Sequence, residues 1–313
     1  MDQYFTSEKN YHTLNHYLRN RFHSKVFKVS LNSGFTCPNR DGSISTEGCS
    51  FCSEMGSGDF AGDKRDSLTN QFKNIKEMMH TKWADGKYIA YFQANTNTYA
   101  PLPVLQACYD EVLSIDKDIV ILSIGTRPDC LPQEVIDYLA EFNKRIEVWV
   151  ELGFQTMHKF SSEVMNRGYE NEVFIDAVKR LREKNISVIV HIIDGLPYET
   201  KEMMLETVRF VNLLDIQGIK IHLLHVIRNT PMGDDFLEHP FPILSLPEYV
   251  DIVTNQLRIL RKEIVIHRLT GDAPKELLIE PLWSLKKFVV LNEIDKVMRT
   301  NQWFQGDLYV PNH

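Results

Sequence analysis

Short apolar runs rich in Val and Ile alternate with amphipathic stretches about six times along this chain of 313 residues. The runs are KVFKVSL (25–31), YIAYFQA (88–94), IVILSIG (119–125), IEVWVELGF (146–154), SVIVHII (187–193) and IKIHLLHV (219–226). Such runs suit strands buried on both faces, as in a parallel sheet. The stretches between them place apolar residues at helical spacing, and Pro132 suits the first turn of one such helix, at 132–143. This alternation predicts an α/β fold, either a barrel or an open doubly wound sheet. No glycine-rich dinucleotide fingerprint follows the first run, which disfavours a nucleotide-binding Rossmann fold.

Four prolines between residues 231 and 247 indicate a boundary after the repeated strand–helix units. Beyond it the pattern predicts a helix at 247–263, a seventh strand, IVIHRL (264–269), and a helical C-terminal stretch. We therefore expect a core at 1–240, which begins with a basic segment, and a C-terminal extension at 241–313 that packs on the core.

Polar residues collect where the predicted strands end. They include Asn95, Asn97, Thr126, Arg127, Gln155, Asp194 and His225. In α/β barrels the carboxyl ends of the strands carry the active site. The polar residues and the strand pattern therefore predict the same catalytic face.

Charge and hydropathy limit the class of protein. No apolar run approaches the roughly 20 residues that span a bilayer, and the N-terminus lacks an apolar signal region, so we expect a cytoplasmic protein without a membrane partner. The net charge of −7 argues weakly against a surface that binds nucleic acid everywhere. Residues 9–28 nevertheless carry five Lys and Arg and no acidic residue. They predict either a solvated helix face or a strip that contacts phosphates.

The cysteines give the sharpest chemical signal. Cys49 and Cys52 form a C-x2-C pair, and Cys37 lies upstream, just past the first predicted strand. Three thiolates form a structural zinc site only when a fourth ligand joins them. When three thiolates bind a cluster of four irons, one iron stays open to a cofactor. The three cysteines therefore predict an iron–sulfur cluster, with a zinc site or a redox pair as the alternatives. Cys108 and Cys130 are expected to be core residues, because reduced cysteines pack as small apolar side chains.

Longer phrases extend this signal to most of the chain. They are CPNRDGSISTEGCSFC, YFQANTNTYAP, SIGTRPDCLP, ELGFQT, HIIDGLPYE and HRLTGDAP. In their order and content the chain resembles the radical SAM superfamily from about Tyr11 to Trp303, and within it the YtqA/YhcC-like subgroup, also called MnmL. The usual spacing is C-x3-C-x2-C, and the wider first gap seen here is found in that subgroup and in relatives of the Elongator catalytic subunit. The resemblance implies a partial (β/α)6 TIM-like barrel of the radical SAM type with a C-terminal α/β extension.

The resemblance also implies roles for individual residues. Cys37, Cys49 and Cys52 would hold a [4Fe-4S] cluster, and the residue before the last cysteine would pack near the adenine of S-adenosylmethionine. The implied contacts to that cofactor are Phe51, Gln93, Asn95, Asn97, Thr126, Glu151, Gln155, Arg167, His191 and His225. An arginine suits the cofactor's carboxylate because it donates two parallel hydrogen bonds. Some of these residues also have a purely structural alternative. The alternatives are that Asn95 and Asn97 shape a turn, that Arg167 pairs with a surface acid, and that His191 and His225 are hydrogen-bonded core histidines.

The implied activity is reductive cleavage of S-adenosylmethionine. The subgroup implies conversion of 5-carboxymethylaminomethyl-(2-thio)uridine to 5-aminomethyl-(2-thio)uridine at the tRNA wobble position. The implied partners are tRNA, a reductase such as flavodoxin or ferredoxin, and a separate tRNA methylase. His267 and Arg268 lie near the end of the seventh predicted strand and Asp272 follows it, and all three are candidates for substrate contact. The alternatives are a radical SAM enzyme that acts on a small molecule and a non-catalytic protein that binds an iron–sulfur cluster or zinc.

Overall fold

The computed structural model describes residues 3–311, among which seven strands form one parallel sheet. In sheet order they are β1 (Val26–Leu31), β2 (Lys87–Phe92), β3 (Ile119–Thr126), β4 (Glu147–Gln155), β5 (Ser187–Asp194), β6 (Gly218–Leu223) and β8 (Val265–Arg268). Two further strands, β7 (Val226–Ile227) and β9 (Leu278–Glu280), pair antiparallel outside that sheet. The parallel order follows the sequence, so the prediction of an α/β fold is confirmed.

Helices connect successive strands and cover the outer face of the sheet. They are α1 (Leu14–Phe22), α2 (Leu68–His80), α3 (Leu102–Ile115), α4 (Gln133–Phe142), α5 (Lys159–Val164), α6 (Asn171–Glu183), α7 (Lys201–Asn212), α8 (Pro231–Glu238), α9 (Leu246–Ile259) and α10 (Lys287–Thr300). A capping box between Ser245 and Glu248 starts α9. That helix ends earlier than the predicted residue 263, because Leu260 has an extended backbone conformation. Within residues 3–311 no helix is long and apolar enough to cross a membrane.

The sheet curls around a common interior. Lys28 on β1 and Lys220 on β6 both contact Glu151 on β4, although these strands lie far apart in the sheet order. Between the Glu151 contacts and the amino-terminal ends of the strands, an apolar layer fills the interior. It is formed by Ile89, Tyr91, Ile121, Trp149 and Ile189 together with Leu18 of α1. Helix α1 therefore packs against the amino-terminal end of the partial barrel, where a second cavity lies beside Trp149 and Ile189. The larger set of polar residues lines the cavity at the opposite end, where we expect the catalytic face.

The seventh strand belongs to the same sheet as the first six. Strand β8 pairs with β6, and Ile266 also bridges to Thr13, just before α1. The Ile266 amide donates to the His12 carbonyl at 2.8 Å, and the Gln305 side chain accepts from the His12 amide at 2.8 Å. The division of the chain at residue 240 stays a prediction, and residues 1, 2, 312 and 313 lie outside the described part. Strands β6 and β8, which lie on opposite sides of that division, are nevertheless joined by hydrogen bonds of one sheet.

The basic segment at 9–28 does not present a single face. Lys28 points into the barrel interior, whereas Lys9 pairs with Asp295 and Arg21 lies 3.5 Å from Glu147. The strip predicted from charge alone is thus divided between the interior and separate parts of the surface.

Candidate functional site

A cavity of about 550 Å³ opens at the carboxyl ends of the parallel strands, a size typical of small-molecule sites. Its lining includes every candidate site residue predicted from the sequence except Asn97. These are Cys37, Cys49, Phe51, Cys52, Gln93, Asn95, Thr126, Glu151, Gln155, Arg167, His191, His225, His267, Arg268 and Asp272. Residues separated by more than 200 positions therefore meet in one space.

The three cysteines lie on the long loop between β1 and α2. The Arg40 amide donates to the Cys37 carbonyl at 2.8 Å, and the Cys52 amide donates to the Cys49 carbonyl at 3.0 Å. The Asn39 amide group lies 3.5 Å from the sulfur of Cys49. Burial raises the pKa of the Cys49 thiol to about 12 and also raises that of Cys52, so a bound cation is needed to hold them as thiolates. Within residues 3–311 no three His, Cys, Asp or Glu side chains form a group suited to a single metal ion.

Polar groups on the tips of β2 and β4 face the same cavity. The side-chain Nε2 of Gln93 donates to the Ser57 carbonyl at 2.8 Å, and the side-chain Nδ2 of Asn95 donates to the Phe35 carbonyl at 3.0 Å. Gln155 has a φ of 65°, and its buried Oε1 has no hydrogen-bond partner among residues 3–311. A strained backbone with an unsatisfied buried acceptor is costly unless a ligand supplies the donor.

Asn97 and Thr126 stabilise the rim rather than reach across the cavity. Asn97 is fully buried, and its amide donates to the Gly125 carbonyl at 2.9 Å and to the Ala94 carbonyl at 3.1 Å. The Thr126 hydroxyl lies 2.6 Å from that of Thr98. Asn97 therefore acts as the turn-shaping residue that was the alternative to cofactor contact.

Arg167 is buried and already engaged within the chain. Its guanidinium donates to the carbonyls of Phe154, Thr156 and Tyr169 and to Oδ1 of Asn171, all at 2.8–3.0 Å. Of the five N–H groups of an arginine, these contacts leave one unused within the described residues. The side chain is thus not a surface ion pair, and it lacks the two free parallel N–H groups expected for a bidentate carboxylate contact.

Glu151 is the centre of an interior polar cluster. It accepts hydrogen bonds from Ser123 Oγ at 2.6 Å, Lys28 Nζ at 3.1 Å and His191 Nε2 at 2.7 Å, and it contacts Lys220 Nζ. Burial opposes ionisation of this carboxyl, but Lys220, Lys28 and His191 hold its pKa well below the usual range. Burial lowers the pKa of His191 to about 4, so this imidazole is neutral near pH 7 and donates its Nε2–H to the carboxylate.

Three further histidines lie on the β6–β8 side of the cavity. Buried nitrogens of His222 (Nε2), His225 (Nε2) and His267 (Nδ1) have no hydrogen-bond partner among residues 3–311. Burial lowers the pKa of each imidazole. At the rim, Arg268 lies 3.1 Å from Asp272. This side therefore offers neutral imidazoles and a partly exposed cation to a ligand.

Sequence reasoning missed two residues of the interior cluster. Lys220 is buried against Glu151, and Tyr91 lies 3.2 Å from Lys220 Nζ through its hydroxyl. The run IKIHLLHV contains the signal, because Lys220 and His222 are two positions apart and so face the same side of a strand.

Comparison with known proteins agrees with this geometry. Residues 35–211 match the Radical SAM superfamily, and residues 216–300 match the Radical_SAM C-terminal domain. The chain is 51% identical over 306 residues to YtqA of Bacillus subtilis, covering 98% of this chain and 95% of the relative. It is 33% identical over 282 residues to YhcC of Escherichia coli, covering 90% of each.

Two more distant similarities involve longer proteins. The tRNA uridine(34) acetyltransferase of Methanocaldococcus jannaschii is 24% identical over 166 residues, which are 51% of this chain and 30% of the relative. The solved structure of Methanocaldococcus infernus Elp3 with an N-terminal deletion superposes with a TM-score of 0.67 at 18% identity. That match covers 90% of this chain but only 64% of the other, and it supports the fold alone. From its family matches and its identity to YtqA, the chain belongs to the radical SAM superfamily.

Proposed function

We propose that this protein is a radical SAM enzyme that converts the 5-carboxymethylaminomethyl group of a tRNA wobble uridine, with or without 2-thiolation, to 5-aminomethyl. The observation that carries the proposal is one continuous cavity. It joins the three cysteines to the polar tips of β2–β5 and to the cationic and imidazole groups of β6 and β8. Cofactor and substrate can therefore meet within a single enclosed volume.

The donor set suits a [4Fe-4S] cluster and S-adenosylmethionine. Cys37, Cys49 and Cys52 would hold the cluster, since three thiols line one wall and none is paired in a disulfide. The cluster, once bound and reduced, supplies the electron that cleaves S-adenosylmethionine to methionine and a 5′-deoxyadenosyl radical. Phe51 offers an apolar surface beside the cysteines, and the unsatisfied Oε1 of Gln155 would accept a hydrogen bond from the cofactor.

The remaining cofactor candidates would position rather than react. Gln93, Asn95 and Thr126 form the rim on the β2–β3 side, while Arg167 fixes the loop after β4 through its carbonyl contacts. The layer beneath Glu151 is apolar, and Leu18 of α1 packs against it. Enclosure of this kind keeps water from a reactive intermediate.

Two observations support an RNA substrate. The relative in Methanocaldococcus jannaschii is named for uridine 34 of tRNA. Among the described residues, the cavity lining carries six Lys and Arg against three Asp and Glu, although the whole chain has a charge of −7. A single splayed base is the usual target of sequence-specific RNA recognition, so one wobble nucleotide suits a cavity of this size.

The substrate group is chemically suited to hydrogen abstraction. Its methylene lies between a nitrogen and a carboxylate, and both neighbours stabilise a carbon radical. In this proposal a cytoplasmic flavodoxin or ferredoxin supplies the electron for cofactor cleavage and takes one electron back from the substrate radical. The imine formed in this way adds water, its N–C bond breaks and the two carbons leave as glyoxylate. A separate methylase then acts on the resulting amine.

The direct test combines a cellular and a biochemical measurement. Mass spectrometry of tRNA from a deletion strain should show 5-carboxymethylaminomethyl-uridines accumulating. The anaerobically reconstituted protein should form 5′-deoxyadenosine and convert the wobble group of that tRNA. If 5′-deoxyadenosine forms while the tRNA stays unchanged in both measurements, the substrate is a small molecule. If reduced, cluster-loaded protein forms none, the protein is a non-catalytic cluster-binding or zinc-binding one.

A further inference from the structure

Cations outnumber carboxylates in the interior of the barrel and at its β8 rim. Lys28 and Lys220 both contact Glu151, and Arg268 and Lys287 both contact Asp272. Lys220 has only 7% of its side chain exposed, and Arg268 has 34% exposed. Each carboxylate thus faces two basic side chains in a partly desolvated space. Burial lowers the pKa of Lys220 well below its ordinary value, and an anion beside it would oppose that shift as Glu151 does. An uncompensated buried charge is unfavourable, so this side of the cavity favours an anion.

Unsatisfied imidazole nitrogens lie beside this charge. Nε2 of His222 and Nε2 of His225 are buried without a hydrogen-bond partner in residues 3–311. Both rings stay neutral near pH 7, because burial lowers their pKa values. Each ring therefore has one N–H to donate. Gly271 lies beside both the His222 ring and the His225 ring. A Cβ at this position would lie 2.9 Å from Cε1 of His225 and 3.8 Å from Nδ1 of His222, so the absence of a side chain leaves room beside the two rings.

We propose that the β6–β8 side of the cavity binds the substrate's carboxylate, with Arg268 and Lys220 supplying charge and His222 and His225 supplying N–H donors. This inference rests on the proposed function, in which the substrate side chain ends in a carboxylate that the product lacks. The site would hold the substrate and release the product, because removal of the carboxylate restores the unfavourable excess of positive charge.

The methionine carboxylate of S-adenosylmethionine is the other source of such an anion. The cysteines lie on the loop after β1 and Gln155 ends β4, whereas Arg268 ends β8 and His225 follows β6. We assign the β6–β8 side to the substrate for this reason. The two sources predict different binding results.

The test measures binding of two anticodon stem-loop RNAs to the anaerobically reconstituted holoprotein with S-adenosylmethionine present. The RNAs differ only in the wobble side chain, 5-carboxymethylaminomethyl or 5-aminomethyl, so contacts to phosphates cancel. The wild type should bind the carboxylate-bearing RNA roughly tenfold more tightly, as expected for hydrogen bonds to a charged group. Arg268→Gln and, independently, His222→Leu should reduce that preference to about twofold or less. The affinity for the aminomethyl RNA and for S-adenosylmethionine should stay within about twofold.

Arg209→Gln on the outer helix α7 is the matched control, since Arg209 is half exposed and pairs with Glu202. It should keep the full preference. Equal binding of the two RNAs by the wild type overturns the carboxylate site and leaves the proposed function standing. If Arg268→Gln binds S-adenosylmethionine more weakly but keeps the RNA preference, the bound anion is the carboxylate of the cofactor. That result also overturns the proposed site for the substrate carboxylate. Failure to bind either RNA overturns the proposed function together with the site.

Discussion

Nε2 of His191 on β5 lies 2.7 Å from Oε2 of Glu151 on β4, in the middle of the barrel interior. The same carboxylate contacts Lys28 from β1, Ser123 from β3 and Lys220 from β6. One buried anion therefore connects five of the seven parallel strands. The level above it, where cofactor and substrate are proposed to meet, depends on this contact for its shape.

Replacing Glu151 by Gln should destabilise the fold by about 3–5 kcal/mol, because the buried Lys220 and the partly buried Lys28 lose their counter-charge. Urea unfolding of the apoprotein at pH 7 measures this cost. Glu141→Gln is the control, since Glu141 is 71% exposed and pairs only with Lys144 three residues away; it should change stability by less than about 0.5 kcal/mol. Equal stability of the two variants would contradict an ionic core.

Replacing Cys49 by Ala should abolish 5′-deoxyadenosine formation and lower the bound iron, because one of three thiolate ligands is lost. Cys108→Ala is matched in chemistry but lies on α3, packed against the apolar core. Iron content, the visible absorption of the reconstituted protein and product analysis measure both variants. Turnover by Cys49→Ala at the wild-type rate would show that the ligand assignment is wrong.

Replacing Gly56 by Ala should weaken binding of S-adenosylmethionine by about tenfold, the equivalent of roughly 1.4 kcal/mol. The new Cβ would lie 1.9 Å from Oδ1 of Asn95 and would push that side chain off the cavity wall. Gly34→Ala separates this clash from backbone strain, since Gly34 also has positive φ but, apart from its chain neighbours, no heavy atom of the described residues lies within 4 Å of its Cβ position. Isothermal titration with the reconstituted protein should show weakened binding for Gly56→Ala alone; equal losses would make strain the cause.

Asp194 should make stability depend on pH. Burial raises the pKa of this carboxyl to about 8, and its Oδ2 has no partner among residues 3–311. An acid whose folded pKa lies above its unfolded value of about 3.9 takes up a proton on folding. Its contribution to stability is full below about pH 4 and is lost by about 1.4 kcal/mol per pH unit up to about pH 8.

Asp194→Asn should therefore be more stable than the wild type at pH 7, with a flatter dependence on pH. Unfolding free energies at pH 5, 6, 7 and 8 give the two slopes. Asp176→Asn, at an exposed position on α6, should keep the wild-type slope. Parallel curves for Asp194→Asn and the wild type would mean that Asp194 is ionised in the fold.

The order of the strands and the end of the barrel at which the polar cavity opens were predictable from the sequence. The runs at 119–125 and 187–193 became β3 and β5 with one residue added to each. These strands are buried on both faces, so their apolar pattern is nearly continuous and their ends are marked by polar residues. The same periodicity placed Cys37 and Gln155 at one end of the barrel, where both line the cavity.

The interior ion cluster was not predictable in the same way. Lys28 looked like part of a basic surface strip, but the curl of the sheet turns it toward Glu151 across the barrel. Arg167 matched a cofactor contact in sequence, yet four of its five N–H groups are taken by three carbonyls and the Asn171 side chain. Both outcomes depend on contacts between distant segments, and a local pattern carries no information about which carbonyl or carboxylate will lie within reach.

The hydrogen bonds of His12 to Ile266 and Gln305 also set the order of events during synthesis. A nascent chain emerges from the ribosome N-terminus first, so the segment around His12 must wait for nearly the whole polypeptide before its partners exist. Until then the edge of β6 and the floor of the barrel lack their final neighbours. Products that lack β8 would therefore expose the unpaired edge of β6 to aggregation, so we expect β8 to be needed for a soluble product.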